Sequence, residues 1–377
     1  MAKTTKSKSD GSMKIQPERL KELLKNLVDI YSPPGKEVEI MEYADSYLKS
    51  HGLTVTRQQV DDDRFNVVVL PEENEEIDLC FVGHLDTIIA HDIDDYGFYE
   101  EDDVIYGLGT ADMKAGCAAM MEAFTILAEK GGSFPPVGLA LVVGEEENGY
   151  GAKTLVREYN FPWAIVGEPT NMVPCLGHYA YLEVLLRTKG KRAHSSMPEL
   201  GRNAIESMLK LLLKVSDYTQ TAKNGMVYNI RELSGFPGGF VVPDTCEAWL
   251  DIHLPPNSRI GTLKSELEQL VEKAGEDIPN LNAYLRFEDT YAGYHIAEDR
   301  ILIKKLKELY KKISLPWEPL DFRSHSDGNV LWAAGVDPII LGPGRLEEAH
   351  NPEEFVRFSQ AAQAAQLYLD FANSLFE

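Results

Sequence analysis

Two histidines and five acidic residues in this chain stand where apolar runs end, the place at which a buried strand delivers side chains for chemistry. Gly83-His84-Leu85-Asp86 directly follows the run Leu79 to Val82. Residues two apart on a strand share a face, so His84 and Asp86 can point into one crevice at a strand's carboxyl end, where open α/β sheets place their sites. An imidazole that binds a metal usually donates its other N–H to a carboxylate, a place Asp86 could fill. Gly107-Leu108-Gly109-Thr110-Ala111-Asp112-Met113-Lys114 lies between a strand-like run and a helix. It is not a nucleotide loop: Asp112 occupies the third glycine position of G-x-G-x-x-G, and no Gly-Lys-Ser/Thr is present. Asp112 is therefore a ligand or a helix cap.

Gly144-Glu145-Glu146-Glu147-Asn148-Gly149 follows the run Leu139 to Val143, Glu168 follows the run ending at Val166, and Gly342-Pro343-Gly344 and then Ala349-His350-Asn351 follow Pro338 to Leu341. One acidic cluster can be a solvated turn. Acids gathered in a sheet's crevice, however, need a neutralising cation. Two adjacent carboxylates can divide the work, one on a metal and one carrying a proton. The shared placement predicts that five strand ends bring His84, Asp112, Glu146, Glu168 and His350 to one edge of a sheet. Carboxylates mixed with imidazoles suit zinc, cobalt or manganese, and two ions sharing one carboxylate would use the whole set.

The elements that must position these groups follow from periodicity. Leu20, Leu23, Leu24, Leu27 and Val28 share a helix face behind Pro17, and a second helix runs to about His51 before Gly52. Short runs apolar on both faces (67–70, 79–82, 139–143, 164–166) alternate with helices, one of them spanning about 113–130 and stopped by Gly131-Gly132. That pattern predicts an α/β domain, its sheet buried between helical layers. From Tyr179 the strands alternate polar and apolar (182–187, 227–233, 245–253, about 283–287) around two amphipathic helices, an α+β module. Helix and buried strand return after Gly293. The expected organisation is a tail (1–13), a catalytic domain (14–177 and 294–377) and an inserted domain (178–293), without internal repeats.

Bulk properties narrow the function classes. At 44% hydrophobic and 26% charged residues the composition is that of a globular enzyme, with no apolar run near the roughly 20 residues of a membrane helix. Residues 1–13 lack the apolar core of a signal peptide. A net charge of −23 disfavours nucleic acid and anionic membranes as partners. Much of the acid lies in runs (61–63, 72–76, 92–95, 100–103) that read as solvated loops. Cys80, Cys117, Cys175 and Cys246 form no C-x-x-C pair, which predicts buried free thiols and a cytoplasmic protein.

The series GHLD, YGLGTADMKAG, GEEENG, GEPT, GKRAHSSMPELGRNAI, SDGNVL and GPG…EAHNPEEF spans almost the whole chain in order. It closely resembles the co-catalytic zinc aminoacylase / carboxypeptidase G metallopeptidase family, which includes acetylornithine deacetylase and succinyl-diaminopimelate desuccinylase. The resemblance implies a zinc-exopeptidase-like mixed sheet between helices, with the inserted domain as a lid that commonly mediates dimerisation. It implies one metal on His84, Asp112 and Glu168 and another on Asp112, Glu146 and His350, Glu145 as general base, Asp86 orienting His84, and a cis peptide at Asp112-Met113. His194, in the AHS motif, matches a histidine that contacts the substrate carbonyl in the partner subunit's site, so a homodimer is implied. The expected reaction is attack of a metal-activated water on an amide carbonyl. Glu145 takes the water's proton and passes it to the departing amine, while a metal and His194 stabilise the oxyanion.

Three positions depart from the family pattern: Leu108 where Arg is frequent, Phe240 before Val-Val-Pro where Asn is usual, and His253 where Asp-x-Arg is frequent. Arg binds a carboxylate bidentately and His does not. Arg323 could compensate, and the backbone N–H groups of Gly342 and Gly344 could approach a substrate carboxylate. The expected substrate is an N-acyl amino acid; the alternatives are a short peptide, for a carboxypeptidase or dipeptidase, and a non-catalytic binding protein on the same fold.

Overall fold

A strand that is apolar on both faces has to be covered twice, and the central strands of this chain are covered by helices. The computed structural model describes residues 13–71, 77–90, 96–131, 134–222 and 225–375. Residues 1–12 of the expected tail, the acid runs at 72–76 and 92–95, and Gly132 lie outside the described residues.

The chain opens with α1 (Pro17–Asp29) and α2 (Val38–Ser50), followed by strands β1 (Val55–Gln59), β2 (Phe65–Val69) and β3 (Leu79–His84). A short hairpin, β4 (Tyr99–Glu101) and β5 (Val104–Tyr106), leads into α3 (Ala115–Lys130), β6 (Val137–Val142), α4 (Tyr150–Glu158) and β7 (Trp163–Val166). The insertion holds β8 (Cys175–His178), β9 (Ala180–Lys189), α5 (Ala204–Ala222), β10 (Val227–Phe236), β11 (Thr245–Leu254), α6 (Ile260–Asp277), β12 (Ala283–Tyr291) and β13 (Tyr294–His295). The chain then continues through α7 (Ile301–Lys312), β14 (Leu320–Phe322), α8 (Asp327–Ala333), β15 (Asp337–Ile340), β16 (Phe355–Arg357) and α9 (Phe358–Ser374).

Two compact units result. The first comprises the chain to Cys175 with Ala297–Leu320 and Ser326–Glu377; the second comprises Leu176–Ile296 with Asp321–His325. The segment after Gly293 is thus not all of one unit: eight of its residues, Tyr294 to Ile296 and Asp321 to His325, belong with the insertion.

In the first unit the strands run in the order β1-β2-β6-β3-β7-β15. β6, β3, β7 and β15 are mutually parallel, whereas β1 and β2 are antiparallel to their neighbours, so the sheet is mixed. β2, β3, β6 and β7 are buried along their whole length, as parallel strands covered on both faces must be. α3 is buried on every side from Ala115 to Leu127, which explains its nearly uniform apolar composition. Phe81 of β3 sits at the centre of this layer, edge-on to Phe124 of α3 at 5.8 Å and to Tyr368 of α9 at 5.5 Å between ring centroids.

In the second unit β10-β11-β9-β12 form an antiparallel sheet. Leu182, Val184, Leu186, Ala248, Leu250 and Ile252 share a core with Met208 and Leu211 of α5 and Leu263 and Leu267 of α6. Alternation fits this sheet because helices cover one face only. β10 is an edge strand and is exposed over most of its length. Among the described residues no helix is long and apolar enough to cross a membrane.

Replacing Phe81 with Ala removes both ring contacts from a fully buried position and should cost about 3–5 kcal/mol of unfolding free energy. Denaturant titration of the variant measures this; a loss under about 1 kcal/mol would show that the layer repacks freely.

Candidate metal centre

Because β6, β3, β7 and β15 are parallel, their carboxyl ends share one rim of the sheet. His84 is the last residue of β3 and lies opposite Val142 of β6, so Glu145 and Glu146 follow from the neighbouring strand just beyond it. Glu168 follows β7 on the other side. The remaining two groups arrive differently from the sequence expectation. Asp112 lies in a tight turn, Thr110–Lys114, and the strand before it, β5, belongs to a separate three-stranded sheet, β16-β5-β4. His350 stands well past β15, in a loop where its φ is 56°. Three strand ends of one sheet therefore frame the site, while a second small sheet supports the turn that carries Asp112.

The side chains converge. His84 Nε2 lies 3.2 Å from Asp112 Oδ1, 3.8 Å from Glu168 Oε1 and 3.9 Å from Glu145 Oε2. His350 Nε2 lies 2.9 Å from Glu146 Oε1 and 3.6 Å from Asp112 Oδ2. Asp112 therefore turns one oxygen to each histidine. The peptide between Asp112 and Met113 is cis. Behind His84, its Nδ1 lies 3.0 Å from the backbone carbonyl of Asp86 and 3.6 Å from that residue's Oδ1. The other carboxylate oxygen of Asp86 accepts the Glu146 N–H at 2.9 Å. Asp86 thus touches both halves of the site. The Cys117 thiol donates to the His84 carbonyl at 3.0 Å, and burial pushes its pKa up to about 12; all four cysteines are buried.

Charge is the difficulty of this arrangement. Burial, with the Asp112 charge nearby, pushes the Glu145 and Glu146 carboxyls up to about 7 and Glu168 well above the usual carboxylate range. Burial opposes the charge on Asp112 too, but its hydrogen bond with His84 and the charges of both histidines hold it below its ordinary value. Those histidines respond in kind. Against burial, the surrounding carboxylates raise His84 well above its usual value and His350 to about 9.

The donor set fits two divalent ions. His84, Asp112 and Glu168 offer ligand atoms all within 4.8 Å of one another, and so do Asp112, Glu146 and His350. Oxygen and imidazole donors in this mixture match zinc-like ions, and two dications would offset the repulsion among the carboxylates.

Close packing of backbone fixes the rim. A Cβ on Gly116 would lie 2.2 Å from the Gly167 carbonyl oxygen, and one on Gly342 would lie 2.1 Å from the same oxygen. The glycines around Pro343 share in this packing. The Gly342 N–H donates to Thr170 Oγ1 at 3.1 Å and the Gly344 N–H to Gln360 Oε1 at 2.8 Å, so both are already engaged inside the protein. They are glycines because neighbouring backbone comes close and because Gly344 has φ 84°.

His194 and Arg323 lie in the second unit. His194 is exposed, its Nδ1 bonded to Ser196, and the exposed Arg323 has its guanidinium 5.9 Å from the Tyr179 ring. Phe240 is 86% exposed. The ring of His253 lies 5.2 Å from that of Tyr181, and its Nδ1 is buried without a hydrogen-bond partner.

Sequence reasoning missed Glu354. Its carboxylate, 2% exposed, accepts the backbone N–H groups of Gly109, Ala111 and Asp112 at 3.0, 2.8 and 3.0 Å. Burial raises its pKa to about 7 against those hydrogen bonds. The motif EAHNPEEF contains the residue, but acceptance from a distant backbone leaves no mark in a sequence.

Asp112→Asn leaves one oxygen to serve two sets of ligands. The variant should retain at most one ion per chain after dialysis against metal-containing buffer, measured by elemental analysis, where the parent retains two. Two ions in the variant would show that Asp112 is not shared.

Residues 80–374 match the family model for Peptidase family M20/M25/M40. A Peptidase M20 domain-containing protein of Schizosaccharomyces pombe is 28% identical over 369 residues, covering 93% of this chain and 83% of that protein. An acetylornithine deacetylase of Vibrio campbellii is 27% identical over 337 residues, covering 85% of this chain and 87% of its own. Among solved structures, a tripeptidase from Staphylococcus aureus superposes with a TM-score of 0.80 at 23% identity, over 96% of this chain and 99% of that one, which shows a common fold. The YXEP protein of Bacillus subtilis, which shares the fold at a TM-score of 0.70 and 12% identity over 94% of this chain and 97% of its own, is a dinuclear metal binding peptidase of the M20 family. The chain belongs to the M20 family of metal-dependent peptidases and amidohydrolases.

Proposed function

We propose that this enzyme removes the acyl group from an N-acyl amino acid, a reaction of the acetylornithine deacetylase or succinyl-diaminopimelate desuccinylase type. The observation that carries the reading is Asp112, with one oxygen toward His84 and the other toward His350, beside a Glu145 that lies 3.9 Å from His84 and holds no place in either ligand group. His84, Asp112 and Glu168 would hold one ion and Asp112, Glu146 and His350 the other, zinc by its donors, with cobalt or manganese as substitutes. When bound, the ions lower the pKa of water and polarise the amide carbonyl.

The chain's own residues do the rest. The Glu145 carboxylate takes the proton of the attacking water and returns it to the nitrogen of the departing amine. Asp86 keeps His84 in the orientation that presents Nε2 to the centre. His194 donates to the carbonyl oxygen as negative charge develops there. That role assigns the second unit as a lid and the assembly as a homodimer, each copy lending its His194 to the other. The exposed edge strand β10, with Ile230, Leu233 and Phe236 39–52% exposed, supports such pairing. Arg323 is the candidate for the substrate's carboxylate. The four buried thiols accord with a cytoplasmic location.

The relatives' names include both deacylases and peptidases, so the test covers both. N-acetyl- and N-succinyl-amino acids and dipeptides are offered to the enzyme with added zinc, cobalt or manganese and with a chelator. Chelator-sensitive cleavage of acyl amino acids is expected; cleavage of dipeptides alone would make it a peptidase, and no cleavage by fully metallated protein would leave a binding protein. On the preferred substrate, Glu145→Gln should lower kcat about 10²–10⁴-fold with both ions retained. Undiminished turnover in that variant excludes Glu145 as the base.

A further inference from the structure

The turn that carries Asp112 is held by a carboxylate that belongs to neither ligand group. Oε2 of Glu354 accepts the Gly109 N–H, and Oε1 accepts those of Ala111 and Asp112. The backbone closes the same junction: the Gly107 N–H donates to the Glu354 carbonyl at 3.1 Å, and Phe355 pairs with Tyr106 in the small sheet. Gly107 and Gly109 have φ 139° and 77°, so the chain curls in a way that glycine adopts freely, and N–H groups close on one anion. On its own side, the Glu354 N–H donates to the Asn351 carbonyl at 3.0 Å, one residue past His350. A single buried side chain therefore ties the loop bearing His350 to the turn bearing Asp112, the two segments that meet in the second ligand group.

Three N–H donors need an acceptor with two oxygens and no hydrogens of its own. A carboxylate meets that need, whereas an amide supplies one oxygen and turns its NH₂ toward a donor. Aspartate keeps the charge but is one methylene too short to reach the same place from the same backbone. We propose that Glu354 is a positioning residue for the metal centre, fixing the angle at which Asp112 presents its two oxygens and the spacing from Asp112 to His350. The inference rests on the reading of Asp112 as the shared ligand.

The test is a calorimetric titration of zinc into chelator-stripped, full-length protein, comparing the parent with Glu354→Gln and Glu354→Asp and recording the melting temperature of each metal-free form. The parent should bind two ions per chain. Both variants should bind both ions more weakly, the ion on Asp112, Glu146 and His350 by about 10–100-fold and the one anchored also by His84 and Glu168 by less. Turnover at limiting zinc should fall with that loss and recover at high zinc with KM little changed. Parental affinity at both sites in a folded variant overturns the proposal and leaves the proposed reaction standing, whatever happens to the metal-free melting temperature. Failure of both variants to fold also overturns it, because Glu354 would then serve folding rather than the centre. A parent that binds no zinc removes the functional reading and this inference together.

Discussion

Carboxylates taken out of water at one rim of a sheet repel one another, and the rest of the first unit is arranged around that repulsion. Among Asp112, Glu145, Glu146 and Glu168 only Asp112 is held below its usual range; burial drives the other three upward. Two imidazoles answer part of the charge, and the site has places for two divalent ions to answer the remainder.

Holding such groups together requires stiff supports. Three of the ligands follow parallel strands whose apolar faces are covered by α3 and its neighbours, so their positions are set by a core without polar gaps. Contacts at Gly116 and Gly342 leave the strand ends no room for even a methyl group between layers. Asp112 and His350 lack strand support of this kind, and for them hydrogen bonds through Glu354 and the small β4-β5-β16 sheet take its place.

Much of this was legible in the chain because it is local. Apolar runs with acids or histidines just beyond them mark strand ends, and the turn from both-face to one-face patterns at Tyr179 marks a change of sheet type. What escaped was relational. β4, β5 and β16 are three residues each, too short for a period to register. Glu354 binds backbone 243 residues away at Ala111, and any residue type but proline at 111 would offer the same N–H. The glycines at 342 and 344 pointed to a close approach, but a sequence does not say whether ligand or neighbouring chain is what approaches. Asp321–His325 crosses into the second unit for five residues, an excursion that leaves no change in composition.

The second unit departs and returns on paired strands: Gly177 faces His295 and His178 faces Tyr294. Its two ends are therefore separated by only the width of one strand pairing, about 5 Å. A module entered and left at neighbouring points can be gained, lost or exchanged without forcing apart the ends of the chain it interrupts.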